Sequence, residues 1–331
     1  MMSAHVSSID WDILLGRIEE GRCTPFVGAG ASAGIVPLGS AIAAHFAPEW
    51  NYPIGEDEDP TRLDLARVAQ YCAITKDDFI WPKERLRKLF NALAADETVT
   101  DSSGKIIRLR EKLGVSGVTD FSDELQLHNV LAALPLPVYI TTNYDSILTD
   151  ALSRKKQPQV RFCPWNKRIL DLKGALPRDQ ELTIDLDHPL VYHLHGVVSV
   201  DSSLVLTEDD YVDFLVNMAS NPMLIHRAVE EALSDKMLLF IGYRLADWNF
   251  RVLFRQLLGS LERSTQGSHV AVQLPVLKPD ASAEDQKTQQ QLLKFLEQSH
   301  RQSKIKIFWG SAQDFAAELL NRWKAHTNGS G

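Results

Sequence analysis

Four short runs of almost unbroken apolar residues, each ending in small or polar side chains, constrain this chain more than any other feature. "PFV" leads into Gly28-Ala29-Gly30-Ala31-Ser32-Ala33, and "VYIT" leads into Thr142-Asn143-Tyr144-Asp145. "LVYHL" leads into His195-Gly196, and "MLLFI" into Gly242-Tyr243-Arg244-Leu245-Ala246-Asp247. Two more runs, "HVAVQL" and "IKIFW", follow later. A strand that is apolar at nearly every position must be covered on both faces, the condition of a parallel sheet between helix layers. "DWNFRVLFRQLLGSL" and "SAQDFAAELLNRW" read as such helices, with Asp247 and Ser311 at their N-caps. The expected fold class is therefore α/β: a Rossmann-like parallel sheet flanked by helices, with a helical insertion.

The insertion is read over about residues 41–133, where apolar residues recur every three or four positions, as in "RLDLARVAQYCAI" and "PKERLRKLFNALAA". "PIGEDEDP" and "TDSSGKI" break it as solvated loops. Ahead of "PFV", Ile9, Ile13, Leu14 and Ile18 mark an amphipathic helix with Ser8 placed to cap it and Gly21 to end it. With no internal repeat and no long linker, the expectation is one domain over 1–326. The final residues 327–331 are composed like a flexible tail.

Charge and cysteine content remove several function classes. Against 35 basic residues stand 43 acidic ones, a net charge of −8, which disfavours non-specific attraction to nucleic acid or anionic lipid. Three scattered cysteines, Cys23, Cys72 and Cys163, build neither a disulfide framework nor a paired zinc site, which fits a reducing cytoplasm. No apolar run approaches the roughly 20 residues of a membrane span. The expectations are a cytoplasmic location, no membrane association and no direct nucleic-acid binding. One segment, "SRKKQPQVRFCPWNKR", carries six basic residues and no acidic one, and reads as a solvated basic loop or a protein interface.

In an open parallel sheet, ligands bind beyond the carboxyl ends of the strands, so the four polar motifs belong to one rim. The glycine motif satisfies G-x-G-x-x-G/A spacing, which allows close backbone approach to a pyrophosphate or merely tight packing. No acidic residue follows at the end of a second strand some 20 positions on, which argues against a dehydrogenase. Asn143 and Asp145 offer an amide and a carboxylate just past a strand, or caps for the next helix. Strand alternation sends His193 and His195 to one face, but His195 is the one that reaches the strand end. An ordinary imidazole pKa near 6.5 would suit His195 to general-base work. In the later helix, Trp248 and Phe250 read as core residues, while Arg251 and Arg255 share a face.

Taken in order, "CTPFVGAGAS", "YITTNYD", "YHLHG", "LVLTEDDY" and "FIGYRLADWNFRVLFR" resemble the sirtuin family, and more closely its bacterial sirtuin-like branch found in anti-phage defence. The resemblance implies an NAD-binding fold in which Gly28, Ala29, Gly30 and Ser32 form the loop that holds NAD phosphates against backbone amides. It matches Asn143 and Asp145 to the Asn and Asp beside nicotinamide and its ribose, and His195 to the histidine of the H-G motif. Gly242 and Tyr243 fall at the ribose-binding turn, and Asp247 belongs to the defence branch's G-Y-x-L-x-D form. Thr142 stands where sirtuins have glutamine. No four-cysteine zinc module follows His195, so zinc is not expected, and this departure from the sirtuin pattern argues against protein deacylation, which stays an alternative beside a non-catalytic NAD or ADP-ribose-binding subunit. With no acyl-lysine bound, water is the remaining nucleophile, and the implied reaction is NAD hydrolysis to nicotinamide and ADP-ribose. Asn143 and His195 are its implied catalytic residues. Regulation is implied through a homo-oligomer or a separate partner such as a HerA-like ATPase or an Argonaute-type module.

Overall fold

The structure is a computed structural model and describes residues 9–55, 59, 62–101, 103–117, 119–170, 182–245, 247–259, 268–274, 291 and 304–329. Helix α1 (Trp11–Glu19) enters the fold with Asp10 as its cap, accepting from the Ile13 amide at 3.2 Å; Ser8 lies outside the described residues. Leu14, Leu15 and Ile18 are buried, whereas Ile13 faces solvent. At the end of α1, Gly21 adopts φ +65°.

Strand β1 (Cys23–Val27) follows, then the connection that holds the insertion: α2 (Gly39–Glu49), α3 (Leu65–Lys76), α4 (Trp81–Ala94), strands β2 (Thr98–Thr100) and β3 (Ile106–Arg108), and α5 (Leu109–Lys112). The insertion is mainly helical as the periodicity implies, and within "TDSSGKI" Thr100 ends one strand and Ile106 opens the next, the two pairing antiparallel. Helix α6 (Leu127–Ala133) then leads to β4 (Val138–Thr141), α7 (Ile147–Ser153), β5 (Gln159–Phe162), α8 (Lys167–Leu170) and β6 (Leu190–His193). The remaining elements are α9 (Glu208–Ser220), α10 (Arg227–Asp235), β7 (Met237–Ile241), α11 (Trp248–Gly259), β8 (His269–Gln273), β9 (Ile305–Trp309) and α12 (Ala312–Gly329). Helix α12 runs through Gly329, where the composition reads as a tail from 327; Ser311 and Asp314 form its reciprocal cap.

Seven strands form one parallel sheet in the order β5-β6-β4-β1-β7-β8-β9. Alternate residues feed two cores. Tyr139, Leu239 and Ile241 pack with α1, α6, α7 and α12, while Ile140, Leu238 and Phe240 pack with α9, α10 and α11. Both faces being covered explains why these strands lack a polar face. A third core, built on Phe46, Trp50 and Leu86, sits inside the insertion and reaches Leu204 and Leu206. Phe250 is buried against Phe240, as expected for core; the Trp248 and Asn249 side chains lie outside the described residues.

The basic segment does not behave as a solvated loop throughout. Its centre pairs with β6 as edge strand β5, and Trp165 turns inward, donating from its indole to the Ser203 carbonyl at 2.8 Å. No helix of the described residues is long and apolar enough to cross a membrane.

Candidate functional site

Register brings the four motifs level. Val27 pairs with Thr141 and with Ile241, and Thr141 pairs with His193, so the four central strands β6, β4, β1 and β7 end together. The chain reverses its direction of travel across the sheet beside β1, the position where open α/β sheets bind ligands.

The glycines interlock two turns. Beyond β1 the chain makes a single 3-10 turn over Ala29–Ser32. The Gly28 amide donates to the Ile241 carbonyl at 2.8 Å and the Gly30 amide to the Gly242 carbonyl at 3.0 Å. A Cβ on Gly28 would lie 2.7 Å from the Tyr243 ring, and one on Gly242, at φ +84°, would lie 2.3 Å from the Ala31 nitrogen. With the Ala31 amide bonded to the Gly28 carbonyl and the Ala33 amide to the Gly30 carbonyl, four of the loop amides serve the protein itself, and exposed Ala29 forms the outward tip. The tight-packing role of these glycines is thus explicit in the geometry.

Thr142 and Tyr243 form a clamp under this loop. The Thr142 hydroxyl lies 2.7 Å from the Tyr243 hydroxyl, which donates to the Val27 carbonyl at 3.0 Å. Thr141 Oγ1 donates to that same carbonyl at 2.9 Å and accepts the Asn143 amide at 3.0 Å. His193 Nδ1 sits 2.9 Å from the Asn143 carbonyl, and as the donor it fixes the backbone there from below. Burial pulls the His193 pKa down to about 4, so the ring is neutral.

Asn143 is held at its main chain and at one end of its side chain. Its Nδ2 donates to Ser32 Oγ at 3.4 Å, and its Oδ1 is buried with no hydrogen-bond partner among the described residues. A buried acceptor left unpaired costs about 1–3 kcal/mol, a cost removed when a ligand or water supplies a donor.

His195 lies two residues past β6, in the turn. Its ring packs edge-on to Tyr211 and Phe214 of α9, with centroids 5.2 and 5.0 Å away. This dry setting pulls its pKa down to about 3, well below the 6.5 read from the sequence, so His195 is neutral and only weakly basic. The next residue, Gly196, has φ +83°, and a Cβ there would meet the Ser203 carbonyl oxygen at 2.1 Å.

Asp145 stands just ahead of Ser146, the N-cap of α7, and its Oδ1 accepts the Ile147 amide at 3.1 Å. Desolvation raises its pKa to about 6, while the Ile147 amide and the Asn143 side chain act to lower it. Asp247 is exposed ahead of α11, with its carbonyl accepting the Arg251 amide at 3.0 Å. The structure therefore gathers Gly28, Gly30, Ser32, Thr142, Asn143, Gly242 and Tyr243 into one hydrogen-bonded or packed unit, with Ala29, Asp145, His195 and Asp247 on the neighbouring turns.

Sequence reasoning missed His128 of α6, whose Nε2 lies 3.3 Å from Ser32 Oγ. It is nearly inaccessible, and nothing in its helical surroundings marked it out. A cavity of about 540 Å³, lined by Phe79, Lys83, Trp165, Arg168 and Asp210 among others, contains none of the rim residues. Among the described residues no group of three or more His, Cys, Asp or Glu could hold a metal ion.

Fold and rim together define a Rossmann-like α/β domain whose sheet ends in a glycine turn, an Asn-Asp turn and a His-Gly turn. Residues 137–300 match the family model of the SIR2-like domain. It is similar to the NAD(+) hydrolase ThsA of Bacillus cereus (strain MSX-D12), 27% identical over 164 residues, which cover 49% of this chain and 31% of the relative. It is 29% identical over 163 residues to the NAD(+) hydrolase ThsA of Enterococcus faecium, covering 48% and 30%. A ThsA of Acinetobacter baumannii (strain 532279), also named NAD(+) hydrolase, aligns over 284 residues at 24% identity, covering 86% and 49%. The chain thus spans between about a third and a half of the length of these relatives.

Proposed function

We propose that this chain hydrolyses NAD+ at the nicotinamide–ribose bond, giving nicotinamide and ADP-ribose. The observation that carries the chemistry is Asn143, whose amide nitrogen is tied to Ser32 while its buried carbonyl oxygen is left without a donor. A water or ribose hydroxyl is such a donor. The relatives' shared name supports NAD+ as substrate.

In this reading the C1′–N bond lengthens first, and the ribose carbon takes on oxocarbenium character. Nicotinamide leaves as a neutral base, so the leaving group itself needs no proton. Asn143 Oδ1 accepts a hydrogen bond from the attacking water and fixes its line of approach. As the C1′–O bond forms, the water proton passes to neutral His195 or onward to solvent. The weak basicity of His195 matters little, because water bonded to a cationic carbon is strongly acidic. Asp145 and the Gly242–Tyr243 turn hold the ribose, and the tip of the glycine loop faces the phosphates.

The direct test is chromatographic detection of nicotinamide and ADP-ribose after incubation with NAD+. Asn143→Ala and His195→Ala should each lower the rate by at least about 100-fold while circular dichroism stays unchanged. Wild-type rates in both folded variants would sink the assignment. NAD+ bound without turnover would favour a non-catalytic NAD or ADP-ribose sensor instead.

By the sequence resemblance, we further propose that the hydrolase is the toxic effector of an abortive-infection system, depleting cellular NAD. It would be restrained by homo-oligomerisation or by a separate partner such as a HerA-like ATPase or an Argonaute-type module. Full activity in a dilute monomer, unchanged by any such partner, would count against that restraint.

A further inference from the structure

The hydrogen bond of Asn143 to Ser32 does not end at the serine. Ser32 Oγ also lies 3.3 Å from Nε2 of His128, on α6, 96 residues away in sequence. We propose that His128 is a positioning residue for the hydrolysis, acting through Ser32 to set the direction of the hydrogen bond that Asn143 makes. The proposal rests on the hydrolase reading above, because only that reading gives the Asn143 carbonyl oxygen a task.

The hydrogen-bond count decides the direction. Asn143 Nδ2 can only donate, so Ser32 Oγ accepts from it, and the serine proton must go elsewhere. His128 Nε2 is the acceptor within reach, provided that nitrogen carries the lone pair. His128 is buried on a helix whose Leu127, Val130 and Leu131 belong to the core, and desolvation pulls its pKa down to about 4, so the ring is neutral and has one lone-pair nitrogen to offer. The proton then resides on Nδ1, which is buried and makes no hydrogen bond among the described residues. The chain therefore runs from the Asn143 NH2 group to the Ser32 hydroxyl to His128 Nε2.

This direction has a consequence for the reaction. If His128 Nε2 donated instead, Ser32 Oγ would receive two donors and its own proton would compete for the Asn143 oxygen or the ligand. With Nε2 as acceptor, the amide nitrogen of Asn143 is anchored, the amide cannot flip, and Oδ1 stays turned toward the rim. Placing an imidazole rather than a carboxylate there also keeps the site beneath the cationic ribose free of a fixed buried charge that would have to be desolvated.

The test has two independent readouts. In the 15N NMR spectrum of the wild-type protein, the His128 ring should show a protonated Nδ1 and a bare Nε2, and Ser32→Ala should shift the Nε2 resonance. A protonated Nε2 overturns the proposal whether or not the protein hydrolyses NAD+. In kinetics, His128→Leu should lower kcat on the order of ten- to a hundred-fold with KM changed by less than about twofold, the size expected of a misplaced catalytic group. His128→Gln, which restores an acceptor, should recover most of that loss. The Ser32→Ala/His128→Leu pair should be no slower than Ser32→Ala alone, because the two residues act as one chain. A hydrolysing wild type whose His128→Leu variant keeps the full kcat, or losses that multiply in the pair, overturns the proposal. A wild type without hydrolysis defeats the hydrolase reading instead and with it the role assigned here.

Discussion

Gly28 and Gly242 show what the glycine motif is for at the residue scale. Each occupies space that the other turn needs: the Tyr243 ring lies against Gly28, and the Ala31 amide lies against Gly242. Gly242 also sits at φ +84°, where a side chain is strained even without a neighbour. Gly242→Ala is therefore expected to cost more stability than Gly28→Ala, because backbone cannot move aside as a ring can. Gly28→Ala should be partly rescued by Tyr243→Leu, which vacates the ring, whereas Gly242→Ala should not. Urea unfolding of the four proteins checks this, and equal rescue of both glycine variants would refute the interlock. The spacing of these glycines was plain in the sequence, but their partners were not, since Tyr243 lies more than 200 positions away.

At the scale of elements, helix α9 carries the two rings that set the environment of His195. Its first turn is fixed by a capping box, in which Thr207 Oγ1 accepts the Asp210 amide and Asp210 Oδ2 accepts the Thr207 amide at 2.9 Å. Asp210 also meets Lys83 of α4 at 2.8 Å, an ion pair almost wholly removed from water, with the ammonium over the Trp165 ring. The insertion thus grips the helix that packs on His195. Lys83→Met would leave a buried carboxylate without its cation and should cost about 3–5 kcal/mol in chemical denaturation. Lys83→Met with Asp210→Asn should recover part of that loss, because the uncompensated charge is gone. A fully stable Lys83→Met protein would show that the pair contributes nothing. The "LVLTEDDY" stretch stood out in the sequence only for its resemblance, and the long-range cation could not be inferred from it.

For the molecule as a whole, the buried histidines govern behaviour in acid. Burial holds His128, His193 and His269 at about 4 and His195 at about 3, all below the 6.5 of an exposed imidazole. His269 Nδ1 accepts the Leu238 amide at 3.1 Å, which a protonated nitrogen could not do. Each of these groups favours the unfolded chain when protonated, so the stability they contribute is present above pH 6.5 and is lost as pH falls toward 4 and below. Asp145 works in the opposite sense: its pKa is raised to about 6, so ionisation favours unfolding, and its contribution is lost as pH rises through 6. Four groups outweigh one, and the thermal midpoint should drop steadily between pH 6.5 and 4. The His269→Gln variant should show a shallower acid slope, and a midpoint that is flat across this range would refute the account.

Local pattern was enough to specify the parallel sheet and the rim where its strand ends meet, because runs such as "VYIT" and "MLLFI" can be satisfied only between two helix layers, and their ends announce the turns. It also determined that the stretch between β1 and β4 is mainly helical, since period-3.6 patterning is local. It did not reveal β5, whose residues "QVRF" are only partly buried at an edge and become a strand by pairing with β6. Nor did it reveal the short β2–β3 pair, or that the chain stays helical through Gly329. Tertiary structure alone decided which residues meet: His128 and Asn143 each with Ser32, Tyr243 with Gly28, and Lys83 with Asp210. Local pattern records what each segment needs to bury, whereas hydrogen bonds between segments depend on register and packing, which exist only once the sheet has assembled.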